Sequence, residues 1–268
     1  MLKRILLLAA LLLSTGAIAE ERFITVASTT STDQSGLFGA LLPAFQRDSG
    51  IAVRVVAVGT GQALRLGERG DADALLVHDR AGEDKFVAGG FGLDRRDVMY
   101  NDFVVVGPSS DPVGIKGLGN VTEAFKRIAA AKAPFASRGD DSGTNRSELR
   151  IWKSAGADLK ADGIGWYREL GSGMGATLNT AAGMGAYALT DRGTWASFKN
   201  RQSLVILVEG DKALFNPYGS ILVNPVLHSG IKAADALVWH HWLTGPKGQA
   251  AIAGFKIDGE QLFFPDAK

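Results

Sequence analysis

The sequence predicts an α/β protein with two lobes, in which mainly parallel sheets are flanked by helices. Short runs of β-branched and aliphatic residues alternate with longer helix-compatible stretches, which is typical of parallel α/β units. Two extended segments that end in proline, residues 100–108 and 215–225, bracket a block with the same alternation. We interpret these segments as two hinge crossings between lobe 1, residues 20–102 and 222–268, and lobe 2, residues 103–221.

Each predicted element follows from its local composition. Five short runs rich in Val, Ile, Leu and Ala predict strands at residues 23–27, 51–58, 74–78, 103–107 and 204–209. Four longer stretches predict helices at residues 36–49, 61–69, 121–131 and 233–243. Pro43 lies inside the first of these helices and counts against it, because proline lacks a backbone N–H.

The first 19 residues predict an export signal. Lys3 and Arg4 precede an uncharged run at residues 5–13, and Ala17 and Ala19 form the small-x-small pattern of a signal-peptidase site. The alternative, an uncleaved membrane anchor, requires about 20 apolar residues, which is more than this run offers. We therefore expect cleavage after Ala19 and a soluble protein in the periplasm.

Charge and cysteine usage exclude several classes of protein. The chain has 29 Lys and Arg against 28 Asp and Glu, and loss of the export signal removes two of the basic residues. A chain without excess positive charge does not resemble a nucleic-acid-binding protein, which usually presents a basic face. The chain has no cysteine, and none of its four histidines pairs with another at i, i+4 spacing, so the sequence gives little support to a transition-metal site.

The segment around Arg138 predicts an anion-binding site. Arg138 carries a fixed positive charge with several donors, and Ser142, Gly143 and Thr144 follow it directly before a helix-compatible run at residues 145–154. The first N–H groups of a helix have no partner within the helix and face a ligand at its tip. An alternative remains open, in which Arg138 only forms a surface ion pair with a neighbouring aspartate, Asp140 or Asp141.

A second group of hydroxyls follows the predicted strands of lobe 1. Ser28, Thr29 and Thr30 come after the first strand, and Thr60 comes after the second, where the next helix begins. Such loops bring hydroxyls and helix N-termini to one edge of a sheet. The competing interpretation is that these residues only cap helices, since Ser and Thr are ordinary N-caps.

Three histidines are further candidates for a functional role. His78 ends a predicted strand and could add a titrating donor to the cleft, although such a histidine is more often a hydrogen-bonded structural residue. His240 and His241 lie in a predicted helix beside two tryptophans, which favours a packed helix over a metal site.

The motifs of this chain resemble a known family over nearly all of the expected mature protein. They are STTST at residues 28–32, VGTGQAL at 58–64, LLVH at 75–78, YNDFV at 100–104, RGDDSGT at 138–144, GMGATL at 173–178, LTDRGT at 189–194 and FNPYG at 215–219. The chain resembles the TupA family, the tungstate-binding proteins of bacterial ABC importers, within the type II periplasmic binding proteins. It departs from the family at Ser28, where the first hydroxyl motif usually has threonine.

The resemblance implies a Venus-flytrap fold and a carrier of oxyanions that is not an enzyme and has no cofactor. Arg138, Ser142 and Thr144 would bind the anion from lobe 2, with Gly143 between them. Tungstate would be the first ligand and molybdate the second, delivered by a monomer to a membrane permease that a separate ATPase powers. Two alternatives stay open: a molybdate, phosphate or sulfate carrier of the same fold, and an exported hydrolase of phosphate or sulfate esters.

Several roles stay undecided at this point. Asp79 is a candidate acceptor for the proton of a bound phosphate, and Arg192 is interpreted as part of a turn before Gly193. Met174 and Thr177 could line the pocket through their backbone N–H groups, or simply start a glycine-rich helix.

Overall fold

The computed structural model describes residues 22–268, so the predicted export signal lies outside the described residues. The first part of the fold alternates strands and helices and ends in a long strand: β1 (Phe23–Thr29), α1 (Thr30–Gln34), α2 (Leu37–Ser49), β2 (Ala52–Val58), α3 (Thr60–Arg69), β3 (Ala74–Val77), α4 (Arg80–Ala88) and β4 (Gly92–Pro108).

The middle part continues the alternation: α5 (Val121–Ala130), β5 (Phe135–Ser137), α6 (Gly143–Ser154), α7 (Leu159–Asp162), β6 (Tyr167–Glu169), α8 (Met174–Met184), β7 (Ala188–Asp191), α9 (Arg192–Ser197) and β8 (Leu204–Val208). After a 3₁₀ turn at Lys212–Leu214, the last part comprises β9 (Phe215–Val223), α10 (Ala233–Thr244), α11 (Pro246–Gly254), β10 (Lys256–Ile257), β11 (Glu260–Gln261) and β12 (Phe264–Pro265). None of the described helices is both long and apolar enough to cross a membrane.

The main sheet is mixed, which confirms the α/β class. Its order is β12-β4-β9-β3-β1-β2, and β7 and β8 also pair with β4. Parallel pairing joins β1 to β2 and β3, and β5 to β6, where helices connect the strands. The expected parallel pairing does not extend to β4, whose neighbours β9, β7, β8 and β12 all run antiparallel to it. Antiparallel neighbours do not need the crossover connection that parallel strands need.

Strand β4 changes partners along its length. Residues 92–102 pair with β9, whereas residues 103–108 pair with β7 and β8. The buried apolar clusters divide at the same place: two draw their buried residues from positions 24–99 and 218–263, and two draw them from positions 103–214. The residues of the predicted anion site come from both sides of this division.

Most predicted elements are present, among them the helix that contains Pro43, but β4 is longer than predicted. The strand predicted at residues 103–107 is only the second half of β4. The first half was missed because it contains several charged residues. The side chain of one of them, Arg95, is only 8% exposed, and its guanidinium lies 2.8 Å from the carboxylate of Glu83. Helix α2 contains Pro43 and continues past it to Gly50, which ends the helix in a left-handed conformation (φ +71°).

Candidate functional site

Strand β1 ends in a buried group of hydroxyls. Thr29 is the N-cap of α1, and its Oγ1 accepts a hydrogen bond from the backbone N–H of Thr32 at 3.3 Å. The next residue, Thr30, accepts a hydrogen bond from Nη2 of Arg138 at 3.2 Å, across 108 positions of sequence. Ser28 uses its hydroxyl differently, because Oγ donates to the carbonyl of Leu76 in the neighbouring strand at 2.6 Å.

His78 contacts the hydroxyls of Thr29 and Ser31 through Nε2, and its tautomer is fixed by its other neighbour. Nδ2 of Asn216 lies 2.6 Å from Oδ1 of Asn101, which turns Oδ1 of Asn216 toward Nδ1 of His78 at 3.0 Å. Nδ1 therefore carries the proton in this network, and Nε2 accepts from the hydroxyl of Thr29 (3.1 Å) or Ser31 (3.2 Å). Burial lowers the pKa of His78 to about 4, so its role is that of a neutral, hydrogen-bonded residue.

Arg138 lies at the end of β5 with only 1% of its surface exposed. Its Nε and Nη2 donate to Oδ2 of Asp140 at 3.1 and 2.6 Å. The ion pair that the sequence left open is therefore present, but it is buried and not a surface pair. Nη1 of Arg138 is buried and has no hydrogen-bond partner among the described residues, so one donor is left for a ligand.

The first turn of α6 stands beside Arg138. Ser142 is the N-cap, and its Oγ accepts from the N–H of Asn145 at 3.2 Å. Thr144 is fully buried, yet its hydroxyl has no partner in the described part of the chain. Gly143 packs so closely that a Cβ there would lie 2.6 Å from Cε1 of His78 and 3.1 Å from Oγ1 of Thr60.

Three buried polar groups on these elements have no partner in the described part of the chain. Like Nη1 of Arg138 and Oγ1 of Thr144, Oγ1 of Thr60 at the start of α3 is buried without a partner within residues 22–268. A buried polar group left unsatisfied costs about 1–3 kcal/mol. The three groups can all donate hydrogen bonds, and two of them, on Thr60 and Thr144, lie in the first turns of α3 and α6. Such a set matches a ligand that presents only acceptors.

The carboxylates around the site are engaged by other groups. Asp191 caps α9, with Oδ1 accepting from the N–H of Thr194 and Oδ2 from its hydroxyl, both at 2.7 Å. Burial raises the pKa of Asp191. Asp79 accepts hydrogen bonds from two arginines of α6. Burial alone would raise the pKa of Asp79, but the two arginines outweigh it and hold the pKa below its ordinary value. A bound anion therefore meets few free acceptors.

The remaining candidates have structural partners. Thr177 donates to the carbonyl of Gly173 at 3.1 Å inside the first turn of α8. Arg192 starts α9 and donates to both carboxylate oxygens of Asp102 at 2.7 and 2.6 Å and to Glu209 at 2.7 Å. The turn predicted at Arg192 is thus the first turn of a helix, tied to β4.

A Ser-His-Asp arrangement occurs away from the anion site. Oγ of Ser220 lies 2.8 Å from Nδ1 of His240, and Nε2 of His240 lies 3.4 Å from Asp94. Both Ser220 and His240 are 0% exposed, so no ester reaches the hydroxyl, and His240 is the packed helix residue that the sequence predicted. Within residues 22–268, no group of three His, Cys, Asp or Glu side chains could hold a metal ion.

Comparison with known proteins identifies the family of the chain. The chain matches the model of the PBP superfamily domain over residues 15–247. It is 47% identical over 248 residues to the tungstate-binding protein TupA of Peptoclostridium acidaminophilum, covering 91% of this chain and 86% of that protein. Two solved structures superpose with a TM-score of 0.79. The tungstate-binding protein TupA from Desulfovibrio alaskensis G20 is 46% identical and covers 92% of this chain and 100% of its own. The tungstate ABC transporter structure from Geobacter sulfurreducens is 50% identical, with 88% and 99% covered.

The fold and these matches confirm the resemblance that the motifs predicted. The chain belongs to the TupA family of tungstate-binding proteins within the PBP superfamily.

Proposed function

We propose that this protein captures tungstate, and with it molybdate, for delivery to the permease of an ABC importer. The observation that carries the proposal is the set of three buried, unpartnered donors on Thr60, Arg138 and Thr144. A tetrahedral dianion satisfies all three at once through charge-assisted hydrogen bonds of about 1.5–3 kcal/mol each. The protein is a carrier and not an enzyme, since its relatives are binding proteins.

The remaining members of the proposed site are Ser28, Thr29, Thr30, Ser142 and Gly143. Thr30 and Ser142 lie next to Arg138 and Thr144, while the hydroxyl of Ser28 is bound to the backbone. Ser28 therefore shapes the turn, and the backbone N–H groups after it face the anion.

Phosphate fits this site less well than a fully deprotonated anion. A phosphate ion at neutral pH carries a proton that requires an acceptor. Both oxygens of Asp79 accept from arginines, and Asp140 is paired with Arg138. Tungstate ranks before molybdate because of the family and not because of any single contact, since a small difference in ligand size contributes only about 1–3 kcal/mol of discrimination.

Binding requires that the two sides of the protein separate and close again. We propose lobe 1 at residues 20–102 and 222–268, lobe 2 at residues 103–221, and hinges where β4 and β9 cross between them. Thr60, Arg138 and Thr144 are at most 1% exposed, so an anion reaches them only after the lobes open. The buried arrangement corresponds to the closed state.

The route of the protein to its site of action is part of the proposal. Cleavage after Ala19 releases a soluble periplasmic protein, which acts as a monomer and meets a permease that a separate ATPase powers. Mass spectrometry of the exported protein tests the first point, because an intact N-terminus at Glu20 is expected.

Isothermal titration calorimetry of residues 20–268, stripped of ligand, tests the proposed ligand. We expect one-to-one binding of tungstate with nanomolar affinity, about −12 kcal/mol, and weaker binding of molybdate. Equal affinities would make the protein a general carrier of both anions. Binding of phosphate or sulfate, with no heat from tungstate or molybdate, would refute the proposal.

Arg138→Lys tests the site itself. Lysine keeps the positive charge but loses the planar fork that donates to Asp140, Thr30 and the ligand at once. We expect tungstate affinity to fall by about 10- to 10⁴-fold, the loss of one or two charge-assisted bonds, in a variant that circular dichroism shows to be folded. An unchanged dissociation constant would remove Arg138 from the site.

A further inference from the structure

An ion-pair network outside the proposed anion site joins its two sides. Asp79 lies between β3 and α4 and is 3% exposed. Each of its carboxylate oxygens accepts one hydrogen bond from α6: Oδ2 from Nη1 of Arg146 at 2.7 Å, and Oδ1 from Nη1 of Arg150 at 2.9 Å. Because α6 begins with the anion-facing residues 142–144, this network fixes the position of the helix that carries half of the site.

The guanidinium of Arg146 holds the preceding loop as well. Its Nε and Nη2 donate to Oδ1 and Oδ2 of Asp141 at 2.7 and 3.0 Å. Asp141 has a left-handed backbone (φ +57°), a conformation that needs support from its surroundings in a residue other than glycine. Its carbonyl accepts from the N–H of Gly61 at 3.3 Å. Arg146 thus connects Asp79, the loop before α6 and the start of α3.

Two glycines leave the room that Arg146 occupies. A Cβ on Gly82, in the first turn of α4, would lie 2.7 Å from Oδ2 of Asp79 and 2.9 Å from Nη1 of Arg146. A Cβ on Gly61, in the first turn of α3, would lie 1.8 Å from Oδ2 of Asp141 and 2.6 Å from Nη2 of Arg146. Both helices therefore lack a side chain where the guanidinium crosses them.

We propose that Asp79 is a positioning residue: through Arg146 and Arg150 it forms a latch that stabilises the closed protein and slows release of the anion. The inference rests on the proposed function and on its two lobes. When the lobes part, the carboxylate and both guanidinium groups return to water, so the latch contributes only to the closed state. Loss of the latch therefore raises the dissociation rate and does not lower the association rate, because the anion enters the open protein.

Radiolabelled tungstate, released into an excess of unlabelled anion, measures the dissociation rate. We expect Asp79→Asn, which keeps the size of the side chain, to raise this rate about 10- to 100-fold, or about 1.4–2.8 kcal/mol, with the association rate unchanged or higher. Gly82→Ala changes no charge but displaces the latch, and it should act in the same direction. Its matched control is Gly39→Ala, since Gly39 is likewise the third residue of its helix and has nothing near its Cβ.

A second control tests whether the loss of any nearby carboxylate charge speeds release of the anion. Asp84→Asn breaks an exposed ion pair with Arg80 on the same helix α4, and it should leave both rates unchanged. The double variant Asp79→Asn with Arg150→Gln should cost less than the sum of the two single changes, because the two residues act through each other. Additive effects, or an unchanged dissociation rate in Asp79→Asn, would overturn the latch while leaving tungstate binding established.

A wild-type protein that binds no tungstate would instead overturn the proposed function, and the latch then has a separate measurement. The chain has no cysteine, so Glu68→Cys with Lys153→Cys places two specific spin labels on α3 and α6. We expect the distance distribution to be broader and longer after Asp79→Asn. An identical distribution would refute the latch without any ligand.

Discussion

Gly143→Ala should prevent closure of the protein while leaving each half folded. The new Cβ would lie 2.6 Å from Cε1 of His78, 2.7 Å from its Nδ1 and 3.1 Å from Oγ1 of Thr60, whereas carbon contacts begin at about 3.5 Å. The first turn of α6 must therefore withdraw by about 1 Å, and a hydrogen bond lengthened by that amount is lost. Losing two charge-assisted bonds at about 1.5–3 kcal/mol each predicts a dissociation constant about 10²- to 10⁴-fold higher.

Calorimetry with tungstate and urea unfolding without it, on the same preparations, check this prediction. Alanine is a better helix former than glycine, and Gly143 is not in a left-handed conformation, so we expect no loss of stability once the lobes are open. Gly175→Ala is the matched control, because Gly175 also lies in the first turn of a helix and has open space around its Cβ. A dissociation constant within twofold of the wild type, in a folded Gly143→Ala protein, would refute the reasoning.

Two further predictions concern the buried polar groups. Thr60→Val and Thr144→Val each remove a hydroxyl that has no partner within residues 22–268. Urea unfolding should therefore show equal or slightly higher stability, by up to about 1 kcal/mol, while calorimetry shows tungstate binding about 10- to 100-fold weaker. A clear loss of stability would contradict the assignment of these hydroxyls to the anion. Burial lowers the pKa of His240 to about 4, so between pH 6.5 and 4 the unfolded chain takes up a proton that the folded one refuses, and stability falls. The melting temperature of His240→Gln should therefore fall less between pH 7 and pH 5 than that of the wild type. An equal fall in both proteins would show that His240 is not the source of this pH dependence.

Local chemistry made part of this site predictable. The hydroxyls after β1 and at the start of α3, and the turn around Ser142, follow strands and precede helices, and such positions bring side chains to one edge of a sheet. The buried position of Arg138 and its free Nη1 depend on packing, so the sequence could not separate an anion ligand from an ion pair with Asp140. The structure contains the ion pair and leaves a donor as well.

The contacts that the sequence could not predict join residues far apart in the chain. Asp79 meets Arg146 across 67 positions, and Nδ1 of His78 meets Asn216 across 138. Nothing in the local pattern of either partner indicates the other, since each is an ordinary polar residue at the end of an element. Two glycines gave a local signal. Gly61 and Gly82 lie in the first turns of helices, where alanine would be the more stable residue. Glycine is required there because the guanidinium of Arg146 passes where a Cβ would lie.

The fixed tautomer of His78 has a consequence for a protein that we propose to act in the periplasm. There the acidity follows the surrounding medium, and histidine is the side chain whose ordinary pKa makes it respond. With its pKa held at about 4 by burial, His78 stays neutral in mildly acidic and alkaline water alike. The hydroxyls of Thr29 and Ser31 therefore face the same acceptor, Nε2 of His78, in every such medium. The conformation of the turn that carries them does not change with the pH of the surroundings.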